Sequence, residues 1–426
     1  MKKFLVVLMM LTFVAGAFAQ DAAKTTGPEF KYSVWANAFA ITEDMSAKDT
    51  TKDYSQIRVR PMFSMGNENV SVVTRLEIDQ YYGAKYTGGT SDVGYADPDT
   101  DQKAVEVKWA YINVKDMLIP GLSMTAGLAP YVYSVGFNQD MPLFNLVYDA
   151  GMVKVDLAYI KFYEGNVIEE NAGVEKVDDA QAYAVKLPIN LGDITVTPSV
   201  LKYNGTKNTD DAAGADLGYS ESLTMPALGI KAAMGALSID ADFVYIMGEL
   251  DQAGATADVA AYAGYVNAGF KASDAFKVSV FGLYATGADD SSDYTSFADF
   301  CTDEIEVGPM FIINDGGYIN QVGVGADEFD THSAGLILFG LAAEFKMDKL
   351  TALAQVAYAT TQSDTGDTKE TVIGTEIDLR LSYEVAPKTS LWAEGAYLSA
   401  GKYVEEINGG DNSDPMYYAA GIMTNI

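Results

Sequence analysis

The charged residues whose spacing could do chemistry recur at every second position along short stretches of the chain. The sequence has four arginines, and two of them, Arg58 and Arg60, alternate with the apolar Ile57 and Val59. The same spacing predicts one set of charges on the polar side of extended segments: Arg58, Arg60, Arg75, Glu77, Asp79, Glu106, Lys108, Glu376, Asp378 and Arg380. Opposite charges along one wall of a pore would orient polar solutes and bias the passage of ions. Equally, they would form cross-strand ion pairs, worth about 0.2–1 kcal/mol each, in a solvated interior.

The stretch 372–383, VIGTEIDLRLSY, shows the alternation most clearly. One side of a pleated strand would carry Ile373, Ile377, Leu379, Leu381 and Tyr383, and the other Glu376, Asp378 and Arg380. Other stretches follow the rule, such as 103–114, where Val105, Val107, Trp109 and Tyr111 would oppose Glu106 and Lys108. A period of two indicates strands with one apolar and one polar face. A soluble β-sandwich and a membrane barrel both produce this pattern.

The first nineteen residues read as a cleaved secretory signal. Lys2 and Lys3 precede a short apolar run, and Ala17-Phe18-Ala19 forms a small-x-small cleavage site. We therefore expect a signal peptide at 1–19 and a single barrel domain at 20–426. The formal net charge of −31 argues against nucleic-acid partners and disfavours a simple anion channel. Cys301 is the only cysteine, so no disulfide forms within the chain.

The strand pattern predicts an all-β, transmembrane, antiparallel up-and-down barrel. No long apolar stretch follows the signal, whereas a barrel strand crosses a membrane with only about 9–11 residues. We count about eighteen strands, with roughly sixteen to twenty possible. Every second connection is tight (234–236, 272–274, 347–348, 386–388), and the intervening ones are long and polar (204–223, 361–371). Short turns on one rim and long loops on the other favour a barrel over a Greek-key sandwich.

Tyrosine placement and strand parity support the same architecture. Strands that enter long loops carry a tyrosine near that end: Tyr82, Tyr163, Tyr203, Tyr245, Tyr284, Tyr358 and Tyr397. All but Tyr203 share the phase of the apolar face, as a ring of aromatics at a membrane boundary would. An even number of strands places both termini on one rim, so that 28–39 can pair with 416–426 and close the sheet.

In this pattern of signal, alternation, turn asymmetry and aromatic rims the chain resembles the Gram-negative outer-membrane porins. The resemblance implies passive diffusion of small hydrophilic solutes and ions, contact with outer-membrane lipid, often a homotrimer, and no enzyme activity or cofactor. The acidic balance adds an expected mild cation preference. The chain ends in Ile426 where such barrels often end in Phe. Porins usually fold the third outer loop inward; here that loop, 132–140, is short, so we expect any constriction to come from elsewhere.

The long loop 287–333 is the candidate constriction. Its apolar part, 307–313, is unusual for a loop in water and predicts folding against the barrel interior. Its carboxylates would then face the arginines: Asp289, Asp290, Asp293, Asp299, Asp303, Glu304 and Glu306. An extra hairpin, which extends the barrel outward or to twenty strands, is the alternative.

Other chemistry has weaker support in the sequence. Asp97, Asp99 and Asp101 could hold a divalent cation, although a solvated acidic loop is the simpler interpretation. His332 is the only histidine, and Ser333 beside it points the other way in an extended chain. Two other classes stay open: a structural or adhesive surface barrel with a plugged lumen and functional acidic loops, and a secreted soluble β-protein.

Overall fold

Antiparallel strands make up almost all of the computed structural model, which describes residues 27–44, 51–82, 105–135, 137–168, 175–207, 219–252, 255–288, 295–297, 310–313, 334–363, 370–407 and 414–426. The strands are β1 (Glu29–Asp44), β2 (Thr51–Gly66), β3 (Val70–Tyr82), β4 (Val105–Val114), β5 (Leu122–Ser134), β6 (Phe137–Asp149), β7 (Lys154–Ile168), β8 (Glu175–Lys186), β9 (Ile189–Asn190), β10 (Ile194–Lys207), β11 (Tyr219–Met234), β12 (Leu237–Gln252), β13 (Ala255–Ser273), β14 (Phe276–Ala285), β15 (Leu336–Met347), β16 (Leu350–Thr360), β17 (Val372–Ala386), β18 (Thr389–Ala400) and β19 (Met416–Asn425). One short helix, α1 (Lys402–Ile407), lies between β18 and β19. Within these ranges no helix has the length and apolar character needed to cross a membrane.

The strands pair in chain order and close on themselves. β19 pairs with β1 from Trp35 opposite Asn425 to Asp44 opposite Met416. The two-residue β9 continues β8, because both pair with β10 in one register. The sheet is therefore a closed antiparallel barrel of 18 strands, as the sequence predicted. The predicted spans 70–82 and 350–360 coincide with β3 and β16.

The two rims of the barrel differ in their connections. The start of β1 and the end of β19 lie on one rim, here called the terminal rim, where the backbones of Val34 and Ile426 exchange hydrogen bonds. The longest connection on that rim is 115–121. Gly235 and Asp348 lie in two of the tight turns on the terminal rim. Both have positive φ (61° and 51°), as tight turns between twisted strands require. The opposite, long-loop rim carries the long connections, but 135–136 and 253–254 there are as short as a tight turn. The predicted segregation is therefore incomplete.

The outer face of the wall is apolar. In β17, Leu379 and Leu381 are 59% and 53% exposed, whereas Glu376 and Asp378 on the alternate phase are fully buried. This is the distribution that a barrel in lipid requires. Ile373 is an exception, because the register shifts beside it at Ala359 and Thr360 and leaves it 1% exposed. The predicted outward position of Ile373 was wrong.

Aromatic side chains form bands on the outer face. Near the long-loop rim, Tyr262 stacks on Tyr284 with ring centroids 5.5 Å apart, and Tyr358 contacts Phe339. Tyr203 packs inward against the interior cluster, in agreement with its odd phase in the sequence. The side chains of Tyr82 and Tyr163 lie outside the described residues. A second band near the terminal rim, which the sequence analysis did not find, includes Phe30, Tyr32 and Phe63.

The interior is not polar throughout. Toward the long-loop rim the inward phase of many strands is apolar and buried, as at Leu201, Val244, Ile246 and Leu338. These side chains belong to one cluster that also includes Tyr403 and Val404 of α1. The expectation of a polar inner face along every strand therefore fails in this half of the barrel.

We expect Leu379→Arg to destabilise the barrel in lipid. A cation on the lipid face costs about 2–4 kcal/mol near the bilayer midplane, and Leu379 is 59% exposed on the outer face. Denaturant unfolding in lipid vesicles measures the change, and Leu379→Met is the matched control. Equal stability of the two variants in lipid would contradict the assignment of the outer face.

Candidate functional site

A hairpin formed by the ends of β5 and β6 leaves the wall and enters the lumen. β5 pairs with β4 only as far as Ala110 opposite Leu128, and β6 pairs with β7 only as far as Leu143 opposite Ile160. Beyond these points 129–134 and 137–142 pair with each other. We call residues 129–142 the inner hairpin. Its sequence position is that of the third outer loop, so the prediction that this loop is too short to narrow the barrel was wrong.

The inner hairpin reaches strands that are not its neighbours in the wall. The Tyr133 hydroxyl donates a hydrogen bond to the backbone carbonyl of Met225 on β11. The Ser134 hydroxyl donates to the Asp242 carboxylate on β12 at 2.8 Å. Strands β5 and β12 are not neighbours in the closed sheet, so these contacts run through the interior. The hairpin therefore spans part of the lumen.

Lys186 anchors the inner hairpin from the side. Its Nζ donates to the backbone carbonyl of Val132 at 2.6 Å and lies 5.3 Å from the ring centroid of Tyr131. Asp156 is paired with Lys186 in register and accepts a hydrogen bond from the Asn145 amide at 2.5 Å. The sequence analysis did not single out Lys186. Its place on the inward phase of a strand is a signal that could have identified it.

Four of the predicted charges form a ladder on β2 and β3. The Arg58 guanidinium binds both carboxylate oxygens of Asp79, with Nε and Nη2 each at 2.8 Å from one oxygen. Arg60 donates to Glu77, which also lies 3.7 Å from Arg58. Two-point pairing of this kind is stronger and more directional than a single contact. Cross-strand ion pairs of the kind expected from the sequence thus occur between β2 and β3, and each charge in the ladder has an opposite charge beside it.

The neighbouring part of β4 departs from the predicted phase. The register shifts between Arg75 and Leu76, so that Arg75 pairs with Trp109 and its guanidinium carbon lies 4.3 Å from that ring centroid. The Trp109 indole donates to Asp140 at 2.6 Å, and Lys108 lies 3.6 Å from the same carboxylate. Trp109 thus lies with Lys108 rather than opposite it, and Tyr111 packs against the interior cluster. The sequence pattern had placed both Trp109 and Tyr111 on the lipid side. Glu106 is exposed and pairs in register with Glu77.

The charged group on β17 forms a buried network. Arg380 donates to Glu394 on β18 at 2.7 Å, and the Tyr417 hydroxyl donates to the same carboxylate at 3.2 Å. The Gln355 amide donates to Asp378 at 2.7 Å. The prediction grouped Glu376, Asp378 and Arg380 on one wall with the ladder of β2 and β3. The structure places them on the same face of β17. Their side-chain partners Gln355 and Glu394 lie on β16 and β18, rather than across the β19–β1 closure.

The long loop binds to this network through its backbone. Glu376 accepts hydrogen bonds from the backbone N–H groups of Phe311, Ile312 and Ile313 at 2.8, 2.6 and 2.8 Å. The Phe311 N–H also lies 3.2 Å from Asp378. The Arg380 guanidinium carbon is 4.5 Å from the ring centroid of Phe311. Segment 310–313 is buried throughout.

The same loop also contacts the inner hairpin. Phe297 packs edge-on against Phe137 of the inner hairpin, with ring centroids 6.4 Å apart. The described parts of the loop, 295–297 and 310–313, therefore lie inside the barrel against the inner hairpin and β17, as the apolar part of the loop predicted. The predicted acidic residues lie outside the described residues: Asp289, Asp290, Asp293, Asp299, Asp303, Glu304 and Glu306. So do Asp97, Asp99, Asp101, Cys301, His332, Ser333 and the segment 1–19.

The arrangement narrows the lumen with two inserted segments and lines the wall beside them with paired charges. In the ranges that the structure describes, no three His, Cys, Asp or Glu side chains are grouped to hold a metal ion.

We expect Lys186→Met to loosen the inner hairpin and increase single-channel conductance. The substitution removes a charge-assisted hydrogen bond, worth about 1.5–3 kcal/mol, to the Val132 carbonyl. Lys202→Met is the control, because Lys202 pairs in register with the exposed Tyr183 of the outer face and donates to Ser222. An increase of the same size in both variants would contradict the anchoring role of Lys186.

We expect Glu376→Gln to release segment 310–313. The amide nitrogen cannot accept the N–H of Ile313, and an unsatisfied buried donor costs about 1–3 kcal/mol. Conductance and the rate of protease cleavage within 289–333 should both rise. Glu384→Gln alters an exposed carboxylate of the same strand and should change neither. If the Glu376→Gln variant is cleaved at the wild-type rate and has wild-type conductance, the loop is held by other contacts.

No protein-family model and no curated protein sequence matches the chain. Solved structures do match it in fold. Pseudomonas aeruginosa OccK9 (OpdG) is 11% identical over 93% of this chain and 98% of its own, with a TM-score of 0.56. Acinetobacter baumannii OccAB4 is 10% identical over 95% and 100%, also at 0.56. A BenF-like porin from Pseudomonas fluorescens Pf-5 is 9% identical over 93% and 98%, at 0.53. The chain therefore has the fold of a porin-type β-barrel.

Proposed function

We propose that the protein is an outer-membrane channel for passive diffusion of small hydrophilic solutes and ions. The observation that carries this function is the distribution of side chains in the closed barrel. Leu379 and Leu381 point outward, whereas Glu376 and Arg380 of the same strand lie inside. A barrel wall with lipid outside and polar groups inside requires both faces at once. The similarity in fold to solved barrels, one of them described as a porin, supports the same proposal.

The inner hairpin and the long loop would set the width of the path. The ladder of Arg58, Arg60, Glu77 and Asp79 would present polar groups to a solute along the wall. Because these charges are paired, they give direction to the local field without a large net charge. The acidic total of 59 Asp and Glu against 28 Lys and Arg supports a mild preference for cations. No covalent step takes part in this mechanism.

The remaining features of the proposal concern export and assembly. Residues 1–19 would direct export and be removed, which leaves 20–426 as the barrel domain. The outer face would contact outer-membrane lipid, and the aromatic bands would lie at its two boundaries. A homotrimer is proposed by resemblance to porins. N-terminal sequencing of the mature protein and its mass in detergent test these points.

A salt gradient across a planar bilayer tests the channel and its selectivity. We expect step conductances and a reversal potential of cationic sign. Arg58→Met should shift that potential further in the cationic direction, since Asp79 then lacks its guanidinium partner, while Arg58→Lys should not. Absence of conductance would refute the channel, and a reversal potential of anionic sign would refute the cation preference.

One observation favours a second candidate, a surface barrel with a plugged lumen. Phe297, Met310, Phe311 and Tyr403 fill the interior toward the long-loop rim and are almost fully buried. If these contacts are permanent, the function would lie in the acidic loops. Swelling of liposomes that contain the purified protein separates the two candidates. A plugged barrel gives no swelling with any small sugar, whereas a channel gives swelling that falls with solute size.

A further inference from the structure

Two carboxamides on the inner face have buried hydrogen-bonding atoms without partners. Gln56 on β2 and Asn37 on β1 are each 1% exposed. Among the described residues, neither Nε2 nor Oε1 of Gln56 has a hydrogen-bond partner, and neither has Nδ2 of Asn37. A buried polar group in this state costs about 1–3 kcal/mol. Native proteins usually satisfy such groups with water or a ligand.

The two carboxamides are neighbours on the wall. Phe39 lies opposite Gln56 in the register, and Asn37 lies opposite Arg58, two positions along from Gln56. Such diagonal neighbours are about 7–8 Å apart, within the reach of one small solute. Both lie on the face that carries the Arg58–Asp79 pair, so they belong to the interior.

Aromatic rings form the rest of this site. The indole of Trp392 on β18 donates to Oδ1 of Asn37 at 3.0 Å. This bond fixes the carboxamide so that its nitrogen remains available as a donor. The Trp392 and Phe39 rings contact each other, with centroids 6.1 Å apart. A solute that reaches the two amides would therefore have apolar ring surface beside it.

The charges around the site are already paired. Arg58 binds Asp79, and Arg380 binds Glu394, each with a closest contact below 3 Å between nitrogen and oxygen (2.8 and 2.7 Å). An ionic solute would have to displace one of these partners. The neutral amides instead require groups that accept from Asn37 and that both accept from and donate to Gln56.

We propose that Asn37 and Gln56 form a binding site for uncharged solutes rich in hydroxyl groups, such as small sugars and polyols. A hydroxyl both donates and accepts, whereas a carboxylate only accepts and an ammonium only donates. The C–H faces of a sugar suit the neighbouring aromatic rings. This inference rests on the proposed channel for the route by which solutes arrive, and it adds the class of solute that the channel retains.

Binding is measured on the full-length barrel in detergent, independently of conductance. Glucose is titrated while tryptophan fluorescence is recorded, because Trp392 is bonded to Asn37. We expect a saturable change with glucose that succinate and lysine at equal concentration do not produce. Gln56→Met, which keeps the shape of the side chain, should weaken glucose binding about tenfold.

Asn113→Leu is the matched control, since Asn113 Nδ2 already donates to Thr125 at 2.9 Å; it should bind glucose like the wild type. Gln56→Glu is a second test in case Gln56→Met fails to fold. It keeps the size of the side chain but loses the donor, and it should also bind glucose weakly. No saturable change, or equal affinity in the wild type and both Gln56 variants, would show that the carboxamides hold only water and would overturn the inference. Glucose binding without conductance would refute the channel and leave the site standing.

Discussion

The structure depends on one constraint, which is that every strand of the barrel has hydrogen-bond partners on both of its edges, as a wall in lipid would require. The 18-strand sheet meets it by joining β19 to β1. The register of that closed sheet fixes which residues lie on the outer face, because a one-residue slip would turn every side chain to the opposite face. The contrast between exposed Leu379 and buried Asp378 follows from it. Which charged side chains lie inside the barrel therefore depends on strand register as much as on amino-acid composition.

The two segments inside the lumen are held in different ways. The inner hairpin is an extension of wall strands, held by side chains such as Lys186 and Tyr133. The long loop is a separate segment, held by carboxylates of the wall that bind its backbone. Both meet at Phe137 and Phe297. Because the two segments touch there, a substitution at either anchor should also alter the position of the other segment.

Sequence reasoning predicted what depends on a period of two and missed what interrupts it. The strand count, the closure, and the occurrence of cross-strand ion pairs at Arg58 and Arg60 all follow from alternation. Trp109 and Ile373 were misplaced because a register shift beside each moves it to the other face. Such a shift depends on the pairing between strands and leaves no mark in one strand's own pattern. The path of the inner hairpin was missed for a similar reason, since loop length alone does not say where the ends of β5 and β6 bend.

The contact between Glu376 and the loop has a consequence for how the chain can change. The groups that Glu376 binds are main-chain N–H groups of residues 311–313, and every amino acid except proline supplies one. The identity of those loop residues can therefore vary with little effect on attachment, whereas the wall position must keep an acid. Evolution can alter the shape of the constriction at this point while the site of attachment stays fixed.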